Sequence, residues 1–175
     1  EFDHNDYRDL DVHGKIVVAL GGEPLSEDVD YFAGHLRTIY SNPESKKRLA
    51  LARGARGSII IPNPNDPEEP SWERRMIDYS FEDVTLAYSV AENLSLIVNP
   101  KAAHILFEGC EFQLADVLRM HRSHTMSSFP LQTRLSFRGQ FKERDFFSQN
   151  VIGKLNGGKR QENAVVLIAH YDHLG

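Results

Sequence analysis

The sequence has 175 residues, which is enough for one domain or for a small domain and part of another. Hydrophobic residues make up 41% of the chain and charged residues 26%, as in ordinary soluble globular proteins. The formal net charge of −5 at pH 7 argues against a nucleic-acid-binding protein, because such proteins need a basic surface to neutralise phosphates.

The first half of the chain predicts a strand, a helix and a second strand. Residues 15–20 form a short apolar run rich in β-branched side chains, which a turn at Gly21-Gly22 ends. Asn42 and Pro43 are typical of the N-cap and the first position of a helix, and Gly54 is typical of its end. Residues 57–61 predict the second strand. A helix between two strands favours a crossover connection and parallel pairing.

The middle of the chain predicts a loop followed by shorter elements. Residues 62–70 carry prolines at positions 62, 64, 67 and 70 and are predicted to form an exposed, mobile loop. Residues 94–98 predict a strand, and residues 101–108 predict a short helix that ends at Gly109. Residues 112–121 predict a further helix, with an apolar face that includes Phe112, Ala115, Leu118 and potentially Val117.

The pattern changes after Pro130. Residues 131–141 alternate between apolar and polar side chains, residues 148–155 predict a second strand, and residues 164–169 are an uninterrupted apolar run. We therefore place a domain boundary near residue 130, which separates a domain of residues 1–130 from a second region of residues 131–175. The expected fold class is α/β (α+β), with strands and short helices first and the beginning of a mixed sheet afterwards.

The clearest candidate for chemistry is the segment that follows the apolar run. His170 stands at the carboxyl end of a predicted buried strand, which is the end where open α/β sheets bind ligands. A ring nitrogen of His170 could bind zinc, and Asp172 lies two residues further on, where it could accept the other ring N–H. His173 could be a second ligand, but Leu174-Gly175 after it favours a turn residue.

Other reactive residues are interpreted as structural. His121 and His124 have a spacing that could hold a metal on a helix, but no acid or cysteine stands beside them, so we expect surface residues. Cys110 is the only cysteine, which rules out an intrachain disulfide, and a structural thiol is favoured over a nucleophile. No apolar run reaches the roughly 20 residues of a membrane span.

Two parts of the chain resemble a known enzyme family. Residues 148–157, residues 163–169 and the segment His170-Tyr171-Asp172-His173-Leu174-Gly175 are similar to the beginning of the catalytic domain in di-zinc aminopeptidases and glutamate carboxypeptidases. Residues 6–18 and 46–61 resemble the protease-associated domain that often precedes this catalytic domain. The two resemblances occur in the order that the family has.

The resemblance implies a function and the roles of two residues. The parent protein would be a secreted, periplasmic or cell-surface metallopeptidase of the aminopeptidase type that acts on peptide or protein substrates with two zinc ions. His170 would bind one zinc, and Asp172 would belong to the catalytic residues by orienting His170. The family's other ligands and its general base follow the His-x-Asp motif. We therefore expect this chain to be an inactive fragment whose N-terminal strand has been trimmed.

Three further hypotheses remain open at this stage. The chain could be a non-catalytic binding or lid module, in which residues 62–70 and Trp72 either line a substrate entrance or form a plain exposed loop. It could be an unrelated metallohydrolase that uses His-x-Asp, such as a phosphoesterase, although such an enzyme would lack the protease-associated segment. Finally, an unpaired edge at residues 164–169 predicts a homodimer or aggregation through that strand.

Overall fold

The computed structural model describes residues 4–24, 28–34, 36–81, 93–140, 142, 144–158 and 164–170. These residues form two compact units, which span residues 1–135 and 136–175. Within the described ranges, no helix combines the length and the apolar character that crossing a membrane requires.

A parallel three-stranded sheet organises the first unit. Its strands are β1 (Ile16–Leu20), β2 (Gly57–Ile61) and β3 (Leu94–Ile97), in the spatial order β1-β2-β3. In the register, Val18 lies opposite Ile59, and Ile59 lies opposite Leu96. All residues of β2 are buried, as expected for the central strand of a sheet covered on both faces. The α/β class and the parallel pairing of the first two strands are therefore confirmed.

Helix α1 (Pro43–Ala52) connects β1 to β2 and has both of the predicted end signals. The side-chain oxygen of Asn42 accepts a hydrogen bond from the backbone N–H of Glu44 at 2.9 Å. Gly54 follows the helix with a φ of +81°, a conformation that side-chain-bearing residues rarely adopt. The cap residues identified in the sequence therefore do set the limits of this helix.

The remaining helices differ in detail from the sequence-based expectations. Helix α2 (Trp72–Asp78) occupies a stretch without a clear pattern, and a 3-10 helix covers Ala103–Phe107 where a short helix was expected. Helix α3 is Leu114–Arg122, and its only buried residue is Val117, whereas Ala115 is exposed. The predicted apolar face is confirmed for Val117 and wrong for Ala115, because the side of α3 that packs on the core is formed by Leu114, Val117 and Met120.

The core lies between one face of the sheet and the segments that follow β3. Its buried members come from β2, the 3-10 helix and α3, and are Ile59, Ile61, Ala103, Leu106, Phe107 and Val117. Side chains alternate along a strand, so Ser58 and Ile60 point to the opposite face of the sheet. Ile60 lies with Pro43 of α1 in the lining of one cavity, so α1 lies on that opposite face.

The close approach of β2 and β3 predicts that Gly57→Ala destabilises the fold. A Cβ on Gly57 would lie 2.2 Å from the carbonyl oxygen of Leu94, which no ordinary contact permits. We expect a loss of about 1–3 kcal/mol in the free energy of unfolding, measured by urea denaturation. Gly153→Ala is the matched control, because nothing lies within 4 Å of a Cβ at that position. Equal stability of the two variants would contradict the expected clash.

The strands predicted after Pro130 are wrong for the residues that the structure describes. Residues 131–140, 148–155 and 164–169 have no regular secondary structure, and Phe141 lies outside the described residues. Leu155 is 97% exposed and Leu167 is 93% exposed. An apolar pattern favours a strand only where neighbouring strands complete its hydrogen bonds and cover its side chains. The homodimer or aggregation expected through residues 164–169 stays a prediction.

Candidate functional site

The structure describes only part of the predicted metal site. His170 is exposed and follows the apolar run of residues 164–169, whereas Asp172 and His173 lie outside the described residues. A zinc ion takes three or four protein ligands. The part of the chain that is described contains no group of three or more His, Cys, Asp or Glu side chains that could hold a metal ion. His170 is therefore the one residue of the predicted zinc site that the structure describes.

A cavity of about 290 Å³ lies in the first unit, at the carboxyl end of β1 and β2. This position follows from the parallel sheet, because the turn after β1, the loop after β2 and the first residues of α1 all meet at that end. Ligands of open α/β sheets commonly bind in the same place. The cavity lining includes Gly21, Gly22, Arg37, Glu68, Glu69 and Arg75.

The turn at Gly21-Gly22 forms part of the cavity wall and packs closely against acidic side chains. A Cβ on Gly22 would lie 2.6 Å from a carboxylate oxygen of Asp66, and Gly22 also has a φ of +72°. A Cβ on Gly21 would lie 3.0 Å from a carboxylate oxygen of Glu69. The sequence indicated a plain turn here, and the structure adds that the two glycines allow the loop of residues 62–70 to approach β1.

The charged groups around the cavity neutralise one another. Arg37 forms ion pairs with Asp66 and Glu68, and Arg75 donates to Glu69, with 3.0 Å between its Nε and the carboxylate. Burial by itself raises the pKa of Asp66, but hydrogen bonds from Arg37 and from the N–H of Glu68 outweigh it, so the pKa is lowered. The hydrogen bond to Asp66 is the main reason that the pKa of Arg37 is raised. These pairs hold the loop to its surroundings.

The loop of residues 62–70 is anchored to α3 as well, so the prediction of an exposed loop holds for Pro64, Pro67, Glu68 and Pro70 but not for the residues between them and β2. Asn63 is only 1% exposed, and its side-chain nitrogen lies 3.0 Å from Nε2 of His121. Asn65 donates to the carbonyl oxygen of Leu118 at 3.4 Å and accepts from Arg122 at 3.2 Å. The proline-rich composition indicates a loop, but it does not reveal that the side chains of two asparagines bind this loop to α3.

The prediction that His121 and His124 are surface residues holds fully for His124 and only in part for His121. His121 is half-buried, because its position on α3 faces the buried Asn63. Burial lowers the pKa of His121, the nearby His124 lowers it further, and Asp66 acts in the opposite direction. His124 is exposed, as expected. What distinguishes His121 from His124 is its contact with Asn63, which lies 58 positions away in the chain. The spacing of the histidines in the sequence does not reveal this contact.

Two other predicted candidates have structural positions. Trp72 is half-buried and begins α2, where Ser71 caps the helix by accepting from the N–H of Arg74 at 3.1 Å. From the adjoining loop, Glu68, Glu69 and Pro70 line the cavity. Sγ of Cys110 accepts a hydrogen bond from the N–H of Gln132 at 3.3 Å, a contact consistent with a structural thiol.

Comparisons with known proteins found no similarity on which to build. No family model matches the chain, and neither the curated proteins nor the solved structures contain a match.

Proposed function

We propose that this chain is part of a secreted zinc-dependent exopeptidase of the aminopeptidase type. Residues 1–130 would form its protease-associated domain, and residues 131–175 would begin its catalytic domain. The observation that carries the proposal is the segment from His170 to Gly175 directly after the apolar run of residues 164–169. The α/β unit with a parallel sheet that precedes this segment is compatible with the proposal in a general way.

In the proposed enzyme, His170 and Asp172 act as a pair. A neutral imidazole of His170 would donate a nitrogen lone pair to zinc, and the carboxylate of Asp172 would accept the other ring N–H and so fix the tautomer. Bound zinc supplies the Lewis acidity that makes a water molecule nucleophilic near neutral pH. Since His170 provides one ligand, the proposal requires further ligands and a general base from a longer chain.

Zinc titration by calorimetry tests this proposal. We expect the 175-residue chain to bind zinc weakly, since it offers an incomplete ligand set. A version extended through the catalytic domain should bind about two zinc ions tightly, as expected of a two-metal hydrolase. Tight binding by neither chain would overturn the peptidase proposal. Chelator-sensitive hydrolysis by the 175-residue chain itself would contradict the proposal that it is inactive.

A second candidate function is a non-catalytic module that binds peptides or protein partners. The observation behind this candidate is the position of the cavity, which lies at the carboxyl end of β1 and β2, where ligands of open α/β sheets commonly bind. Its lining offers both guanidinium and carboxylate groups, from Arg37 and Glu68 for example. Weak but specific peptide binding without turnover, together with no tight zinc binding by the extended chain, would favour the module over the peptidase.

A further inference from the structure

The contact between Asn63 and His121 has a defined hydrogen-bond direction. The side-chain oxygen of Asn63 accepts from the backbone N–H of Asn65 at 3.0 Å, so its amide nitrogen is the atom that faces His121. That nitrogen can only donate, and it lies 3.0 Å from Nε2 of His121. Nε2 therefore acts as the acceptor, which is possible only when the imidazole is neutral.

We infer that protonation of His121 detaches Asn63 from helix α3, which weakens the anchoring of the loop of residues 62–70 and loosens one wall of the cavity. A protonated Nε2 carries a hydrogen of its own, so two donors would face each other at the distance of the present hydrogen bond. Asn63 is buried and cannot turn its oxygen towards His121 without giving up the N–H of Asn65. The inferred response is that the loop backbone at Asn63 separates from His121, so that water can hydrate the imidazolium.

Charged groups on three elements surround His121. A positive charge on His121 is disfavoured by Lys46 of α1 and by Arg122 and His124 of α3. It is favoured by Asp66 of the loop. Asp66 is already engaged by Arg37, which limits its ability to stabilise an imidazolium. The neighbouring charges therefore strengthen the preference of the closed loop for a neutral His121.

The release would reach the cavity because the loop is connected internally. The N–H of Asp66 donates to the carbonyl oxygen of Asn63 at 3.0 Å, and the N–H of Glu69 donates to that of Asp66 at 3.1 Å. Glu68, Glu69 and Pro70 then form one wall of the cavity. Acidification would therefore alter the shape of the cavity without any ligand or metal, so the inference does not depend on the zinc proposal, and it acts on the cavity that the binding-module candidate would use.

The direction of the pH dependence follows from the lowered pKa of His121. The released loop exposes an imidazole with an ordinary pKa near 6.5, so the released state takes up the proton first as the pH falls. Above about pH 6.5 the ratio of closed to released loop therefore keeps its full value. Below that pH the ratio falls, by up to about tenfold for each pH unit. The loss stops growing once the pH falls below the lowered pKa.

Amide hydrogen exchange of the 175-residue chain tests the inference. Protection of the N–H groups of Asn65 and Asp66, corrected for the intrinsic pH dependence of exchange, should decrease between pH 7.5 and pH 5.5. Amides of β2 should keep their protection, which separates local release from global unfolding. In His121→Gln the side-chain oxygen can accept from Asn63 at every pH, so protection of the loop should not depend on pH. His104→Gln, at an exposed histidine, should respond as the unaltered chain does.

Several results would overturn the inference. They are an unchanged protection of the loop on acidification, a loss in His121→Gln equal to that of the unaltered chain, and a simultaneous loss of protection in β2. If His121→Gln does not fold, an NMR titration of the His121 ring in the unaltered chain takes its place. The ring titrates mainly in the closed state, so its midpoint must fall where the loss of loop protection stops growing, and a midpoint at the ordinary value near 6.5 would also rule out the device.

Discussion

Peptide hydrolysis by the full zinc enzyme that we propose should fall by more than about a hundredfold when His170 is replaced with alanine. Loss of a residue that merely orients a ligand commonly costs about 10–100-fold in metal affinity or activity, and loss of a ligand itself should exceed that range. The measurements are the release of nitroaniline from aminoacyl nitroanilides and the zinc content of the purified protein. Both should fall together, because the defect lies in holding the metal.

Variants at Asp172 and His104 separate a ligand from an incidental histidine. Asp172→Asn keeps the size of the side chain but removes the charge that polarises the imidazole, so we expect a loss of about 10–100-fold. His104→Ala removes an exposed histidine that contacts the carbonyl oxygen of Lys101 in its own turn, and should change neither activity nor zinc content. Full activity and full zinc content in His170→Ala would eliminate the metal-binding hypothesis.

Replacing Phe107 with alanine should produce the largest loss of stability in the first unit. Phe107 is 3% exposed and belongs to the cluster around Ile59 and Ile61, with its ring centroid 6.3 Å from that of Phe129. Removal of a buried phenylalanine side chain typically costs about 3–5 kcal/mol, through lost burial and the cavity that it leaves. We expect a loss of that size in urea denaturation, which would be a large share of the total stability of an ordinary domain.

Phe147→Ala is the matched control for this prediction. Phe147 is 99% exposed, so truncating its side chain removes almost no buried contact and should change the free energy of unfolding by less than about 0.5 kcal/mol. A comparable loss in the two variants would mean that the cluster around Phe107 does not hold the first unit together. If Phe107→Ala is unfolded, Phe107→Leu should give a measurable, smaller loss.

Local chemistry accounts for the parts of the fold that could be predicted. The β-branched runs at residues 16–20 and 57–61 form strands, and Asn42, Pro43 and Gly54 set the ends of the helix between them. These signals work from the sequence because each depends on the backbone preferences of one residue or on a hydrogen bond within a single turn. The His170-Tyr171-Asp172 hypothesis is equally local, and it rests on the sequence alone.

The remaining features depend on contacts between distant parts of the chain. Residues 148–155 and 164–169 have strand-forming side chains, yet in the structure they are exposed and irregular, because a strand also needs partners for its backbone. Neither His121 nor Asn63 stands out in the sequence, and only the packing of α3 beside β2 makes them a partly buried hydrogen-bonded pair. The sequence by itself thus determined the β-α-β beginning and the candidate zinc ligand. The tertiary structure decided where the cavity lies and which polar residues are buried, because burial depends on neighbours that are remote along the chain.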